Sequence, residues 1–312
     1  MKRTIEIGTS GTRLFLKDHR LVVQRDEEDL ASIPLEDVGV VVLDSCGISI
    51  SSGLLKALAD EGCALLTCDD SHHPHGLFLP LTANTLHGER IRFQAEIATT
   101  LKKSLWARIV RQKIENQAAV GPPTSTPGLM RLSREVKSGD SNQCEARAAR
   151  LYWAHVFVDL PIIEQPFHRF RDGPPPNNLL NYGYAILRAL IARCLCGAGL
   201  HPGLGLHHRN KYNSYALADD VMEPFRPVVD KSVKVITSNG CTQIHKESKR
   251  QLLDILSTQV FMNEQTMSVE LAAERCAGSL AKALTASAKE GRSTRDATRV
   301  LQLPTLTASR TP

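Results

Sequence analysis

The first 25 residues alternate apolar and polar positions in short runs, TIEIG, RLFLK and RLVVQR, broken by Gly, Lys-Asp-His and Arg-Asp. Period-two alternation with such breaks predicts strands joined by tight turns. The pattern continues through IPLEDVGVVV (33–42) and the β-branched ISIS (48–51). SSGLLKALADE (51–61) then predicts a short amphipathic helix, opened by Ser caps and closed by Gly62. ALLTCD and LFLPL return to strand. Residues 1–86 therefore read as a small β-rich, β-sandwich-like domain with one helix.

From Arg90 the period changes. RFQAEIATTLKKSLWARIVRQKIENQAAV has helical periodicity, no Pro and many good helix formers, and GPPTSTPG (121–128) ends it. Further helices are predicted at about 129–137, 143–158, 178–197, 214–224, 246–262 and 267–288, with loops at DGPPPN and HPGLG. Residues 87–289 thus read as a larger all-α domain. The polar, weakly patterned 290–312 reads as a disordered tail. The expected class is α+β, a β-rich head followed by a helical body.

Composition narrows the field. The 312 residues suffice for two modest domains, and 42% hydrophobic with 23% charged residues is globular usage. A net charge of +5 permits a polyanionic partner without demanding one. The N-terminus lacks the apolar run of a signal peptide, and no segment approaches the roughly 18 uninterrupted apolar residues of a membrane span. Eight cysteines then read as reduced thiols in a cytoplasm. Cys68, His72, His73 and His75 lie in a polar DDSHHPH stretch without a second regularly spaced pair, which favours a solvated loop over a zinc site. No Gly-rich nucleotide loop of the G-x-x-x-x-G-K-[ST] type is present.

The chemistry concentrates between Asn177 and Asp230. A His pair, His207 and His208, precedes Asp219, Asp220 and Glu223 in a segment that otherwise reads as buried helix. Such groups are costly to bury unless paired or metal-bound. Asp220 and Glu223 are three apart and share a helix face. They could form a solvated face, but Ala218, Val221, Met222, Pro224 and Phe225 make the context apolar; Asp219 is assigned to solvent. Glu145 has two readings: with Asn142 it fits a capping box, and as a first-turn carboxylate it could be a metal ligand. Carboxylates and an imidazole suggest a hard or borderline divalent cation. With water as nucleophile such a site is a nuclease; with a DNA 3′-hydroxyl it performs strand transfer without ATP. The residues do not separate the two.

Basic side chains at Lys102, Lys103, Arg108, Arg111 and Lys113, and at Arg147, Arg150, Arg169, Arg171, Arg188, Arg193, Arg209 and Lys211, suggest phosphate contacts around the carboxylates. Tyr152, Trp153, Tyr182 and Tyr184 read as core, with Tyr182 the candidate for a DNA fork.

These motifs resemble a known family, the CRISPR-associated integrase of the spacer-acquisition machinery. The resemblance rests on LNYGYAIL, on the turn from Gly199 through Pro202 and Gly205 to His208, on the acid pair running into EPFRP, and on EARAARLYW from Glu145. It extends more weakly over residues 4–290, in wording similar to the branch that accompanies RNA-guided single-protein effector nucleases (type II systems). It implies Glu145, His208 and Glu223 as catalytic ligands of Mg²⁺ or Mn²⁺, with Asp220 as ligand or support. It further implies a homodimer joined through the β-rich head, a small second acquisition protein, and double-stranded DNA as captured fragment and CRISPR repeat. The effector nuclease is a further possible partner, and no membrane is involved. The competing readings are a non-catalytic DNA-binding scaffold and a hydrolytic nuclease of branched DNA.

Overall fold

The computed structural model describes residues 2–69, 74–81, 83–170 and 172–307. His72 and His73 of the His-rich loop, and Arg171, lie outside the described residues. The N-terminal part comprises β1 (Arg3–Ile7), β2 (Arg13–Lys17), β3 (Arg20–Arg25), β4 (Glu28–Pro34), β5 (Val38–Leu43), β6 (Ser49–Ile50), α1 (Ser52–Asp60), β7 (Ala64–Cys68) and β8 (Pro74–Phe78). The β2–β3 and β3–β4 hairpins turn on Asp18-His19 and Asp26-Glu27, each with positive φ at both residues. Such turns match the right-handed twist of the strands they join.

Two four-stranded sheets result, ordered β4-β3-β2-β6 and β1-β5-β7-β8. They enclose a core of Leu14, Leu21, Val41, Leu43 and Leu65 together with Leu54 and Leu58 of α1. Every residue of β5 is buried. Val41 faces that core, whereas Val40 and Val42, with Ala64 and Leu66, face the helical body. A parallel strand buried on both sides reads as a continuous apolar run, as VGVVVL does. Sheet β1-β5-β7-β8 thus serves two cores, and the head is not walled off from the body.

The body contains α2 (His87–Glu96), α3 (Thr99–Val120), α4 (Thr126–Glu135), α5 (Cys144–Val156), α6 (Asn177–Gly197), α7 (Ala216–Met222), α8 (Arg226–Ser238), α9 (Lys246–Leu253), α10 (Val269–Glu290) and α11 (Thr294–Val300). α6 is long and apolar enough in composition to cross a membrane, but 83% of its most apolar window is buried inside the protein. It is the central core helix, packed against β7, β8 and α10.

Two expectations for the body are corrected. It is not all-α: the helix expected over 246–262 stops at Leu253, and β9 (Gln259–Met262) and β10 (Gln265–Ser268) form a hairpin turning on Asn263-Glu264, again with positive φ at both. The tail expected to be disordered is ordered through residue 307. After α11, Leu301, Leu303 and Pro304 are buried, and Thr305 pairs with Phe261 of β9. Asn116 of α3 fixes it there, donating to the Pro304 carbonyl at 2.9 Å and accepting from Leu306 N at 3.0 Å.

Candidate metal centre

Glu145 stands in the first turn of α5, but not as a cap. Asp140 accepts from the Cys144 and Glu145 backbone N–H groups, and Asn142 bonds back to Lys137 and Glu135. The capping-box alternative therefore fails, and the Glu145 side chain is left for another task. It meets Lys113 of α3, whose Nζ lies 2.6 Å from Glu145 Oε1 and 2.6 Å from Glu223 Oε2. Residues 78 positions apart in the chain thus converge on one ammonium. Glu145 is 30% exposed and Glu223 only 3%, so the centre opens on the Glu145 side.

Glu223 begins a turn of 3-10 helix between α7 and α8, followed by Pro224, and is fully within the body. Arg226, the first residue of α8, approaches its other oxygen at 3.0 Å. Burial alone would raise the Glu223 carboxyl, but Arg226 and Lys113 outweigh it and hold it below its ordinary range. Burial likewise opposes the charge on Lys113, and Glu223 with Glu145 overcome that and raise it. Lys113 donates an aligned hydrogen bond to Glu145, whereas the contacts of Glu223 are ion pairs without that alignment: buried Glu223 Oε2 and Arg226 Nε lack an aligned partner among the described residues.

Asp220 has a different environment. Its carboxylate is wholly buried and accepts from the backbone N–H of Leu206 (2.6 Å), His207 (3.0 Å) and His208 (3.3 Å), and from His208 Nδ1 (2.6 Å). Each of its oxygens thus accepts two hydrogen bonds. Because a carboxylate can only accept, the bond places the proton on His208 Nδ1 and leaves Nε2 outside the Asp220 contact, the tautomer a metal-binding imidazole uses. The Asp220 hydrogen bond raises the His208 imidazole above its ordinary value, against burial and with help from Glu223 and Asp219. The turn needs Gly205, because a Cβ there would lie 2.5 Å from the His208 carbonyl and 3.1 Å from Asp220 Oδ2. His207 points elsewhere, stacked on buried Trp106 of α3 at 4.3 Å and 2°.

Several other assignments change. Asp219 is not solvated; it is buried and bonded by Arg188 (2.7 Å) and Asn213 (2.8 Å). Tyr182 is fully buried beneath the head, which removes it as a fork residue. Tyr152 and Tyr184 are core, and both donate to buried Asp230. Of the basic side chains, Arg108 and Arg111 bond to backbone carbonyls, Arg169 to Asn177 and Asn181, and Arg193 to Glu270 and Glu274. Lys103, Arg150, Arg209 and Lys211 remain exposed. Lys102 is half-buried, lowered by burial and by Arg209 beside it. Sequence reasoning placed Lys113 among the phosphate contacts and passed over Arg226; both were legible only as charges in apolar surroundings.

Residues 5–271 match the family described as CRISPR associated protein Cas1. The chain belongs to that family. A CRISPR-associated endonuclease Cas1 of Neisseria meningitidis serogroup C is 36% identical, covering 88% of this chain and 90% of the relative. A Cas1 from Pyrobaculum aerophilum is 29% identical over 91% and 99%. Among solved structures, a CAS1 protein from Thermotoga maritima superposes with a TM-score of 0.74 at 18% identity, over 90% of this chain and 97% of that one. A casposase bound to integration product gives 0.73 at 17% identity, over 91% of each chain. At those identities the superpositions establish a Cas1-like fold.

Proposed function

We propose that this Cas1 chain is a divalent-metal-dependent DNA integrase and endonuclease that inserts short DNA fragments into a CRISPR array. The observation that carries the reading is the convergence of Glu145 and Glu223 on a single cation, with His208, held by Asp220, close enough to Glu223 for each to shift the other's titration. Among the described residues no three His, Cys, Asp or Glu side chains already form a cluster close enough to hold an ion. The donor set nevertheless fits one: Glu223 Oε2 is buried without an aligned hydrogen bond, and the Asp220 bond occupies His208 Nδ1, so that Nε2 is the nitrogen a metal would take. Glu145, His208 and Glu223 would hold Mg²⁺ or Mn²⁺, which neutralises charge on a scissile phosphate and acidifies a hydroxyl. Asp220 orients His208, and Arg226 adds positive charge at the same point.

In strand transfer the 3′-hydroxyl oxygen of the fragment forms a bond to the repeat phosphorus. The bond to the leaving 3′ oxygen breaks, so one phosphodiester replaces another. Backbone contacts fall to Lys102, Lys103, Arg150, Arg209 and Lys211, which make no hydrogen bond or ion pair to internal carbonyls or acids among the described residues. Structures similar to this chain include a Cas6-RT-Cas1–Cas2 complex (TM-score 0.71) and a Cas1–DNA complex (0.52). That likeness supports DNA and a small second acquisition protein as partners; in this reading the chain is also a homodimer joined through its head, with double-stranded DNA across both. The effector nuclease of the same system is a further partner in this reading.

The test is to incubate a labelled duplex bearing 3′-hydroxyl ends with a supercoiled plasmid carrying a repeat, the small partner and Mn²⁺. Label joined to the plasmid, and lost on chelation, is the expected result. Cutting without joining would favour hydrolysis of branched DNA. Tight binding with neither would favour a scaffold.

A further inference from the structure

Lys113 has a second aspect, which rests on the metal reading above. Its side chain is only 9% exposed, and its ammonium sits where the two carboxylates meet. A buried ammonium forgoes hydration and stays only where opposite charge compensates it. Without it, Glu145 and Glu223 would face one another as like charges in a poorly solvated place. Lys113 shares a face of α3 with Trp106, seven residues back, which packs on His207. One helix thus reaches both halves of the centre, and Asn116 ties it to the Pro224 carbonyl beside Glu223 at 2.7 Å.

The geometry points to Lys113 as a resident counter-cation. In the metal-free protein it occupies the convergence point, keeps the two carboxylates assembled, and competes with a divalent ion. Loading then requires the ammonium to withdraw. A lysine can do so without moving its helix, because its four-carbon stem rotates freely. The exposed edge is at Glu145, so withdrawal runs past Glu145 toward solvent. Asp220 supplies the contrast: its fixed backbone donors cannot leave, whereas the cation on Glu145 and Glu223 can.

The experiment is a Mn²⁺ titration of metal-stripped protein, followed by the electron paramagnetic resonance signal of free aqua-Mn²⁺, with wild type, Lys113→Met and Glu223→Gln. Lys113→Met should bind Mn²⁺ about tenfold more tightly or better, the effect of removing one close competing charge, and Glu223→Gln should lose the ion. If Glu223→Gln loses it while Lys113→Met binds no more tightly than wild type, the Lys113 assignment is overturned and the metal site stands. If Glu223→Gln binds like wild type, the ion is elsewhere and both fail. Melting in chelator gives a second readout. Lys113→Met should lower Tm, Mn²⁺ should restore it, and in a Glu223→Gln background the same change should cost much less. An equal loss in both backgrounds would make Lys113 an ordinary stabilising residue. Should Lys113→Met not fold alone, the double variant must fold, and its failure too would overturn the assignment.

Discussion

Asp220 and Glu223 lie one helical turn apart, both buried, both acidic, and they are held in opposite ways. Asp220 receives three backbone N–H groups and an imidazole, all fixed by the fold. Glu223 is held by two side-chain cations, and one of its oxygens has no aligned hydrogen bond. A saturated carboxylate is structural; one held by exchangeable cations is available for chemistry. Asp230, on α8, is a third case. It is buried, hydrogen-bonded by Tyr152 and Tyr184, and pushed up from 3.8 to about 6 by burial against those bonds.

The contrast is sharpest when each acid is changed in turn. Asp220→Ala should have the largest effect, about 3–5 kcal/mol of stability, because it strands the buried N–H groups of 206–208. A melting or denaturant curve reads this, and a loss below about 1 kcal/mol would break the distinction.

Asp230 gives the next largest effect, and its sign follows from linkage. Between its unfolded value near 3.8 and its folded value of about 6, the folded protein holds a proton that the unfolded chain has released. Stability therefore falls as pH rises through that window and is flat above it, by up to about 3 kcal/mol. Denaturant unfolding at a series of pH values, with Asp230→Asn as the comparison, should show that slope vanish in the variant.

Gly205→Ala should cost about 1–3 kcal/mol, since its Cβ would press on the His208 carbonyl. Glu223→Gln should cost least, about 1–2 kcal/mol, because Lys113 keeps Glu145 and Arg226 retains some solvent. Urea denaturation of the two variants side by side would rank them.

The same difference explains what the sequence disclosed. Alternation in RLFLK and RLVVQR, and helical periodicity in the stretch that forms α3, are local properties, and all three elements lie close to where the pattern puts them. The β9–β10 hairpin was hidden because QVFM and QTMS are four residues each, flanked by helical patterns; only the Asn263-Glu264 turn marked it. The order of the tail depends on Asn116, 188 positions away from Pro304, and no local pattern announces that. At the site, motif wording points to Glu145, His208 and Glu223. That Asp220 supports the His turn, and that Lys113 joins the two glutamates, depended on contacts between distant segments. A lysine in an amphipathic helix has the same local signature whether it faces water or a pair of acids.

The most direct test of the account measures joining of a labelled 3′-hydroxyl duplex to a repeat-bearing plasmid by Glu223→Gln, with Mn²⁺ and the small partner, beside the melting curve of the same sample. The account predicts a folded protein, slightly less stable than wild type, with joining reduced by about a thousandfold or more. Joining at the wild-type rate by that folded variant would contradict it.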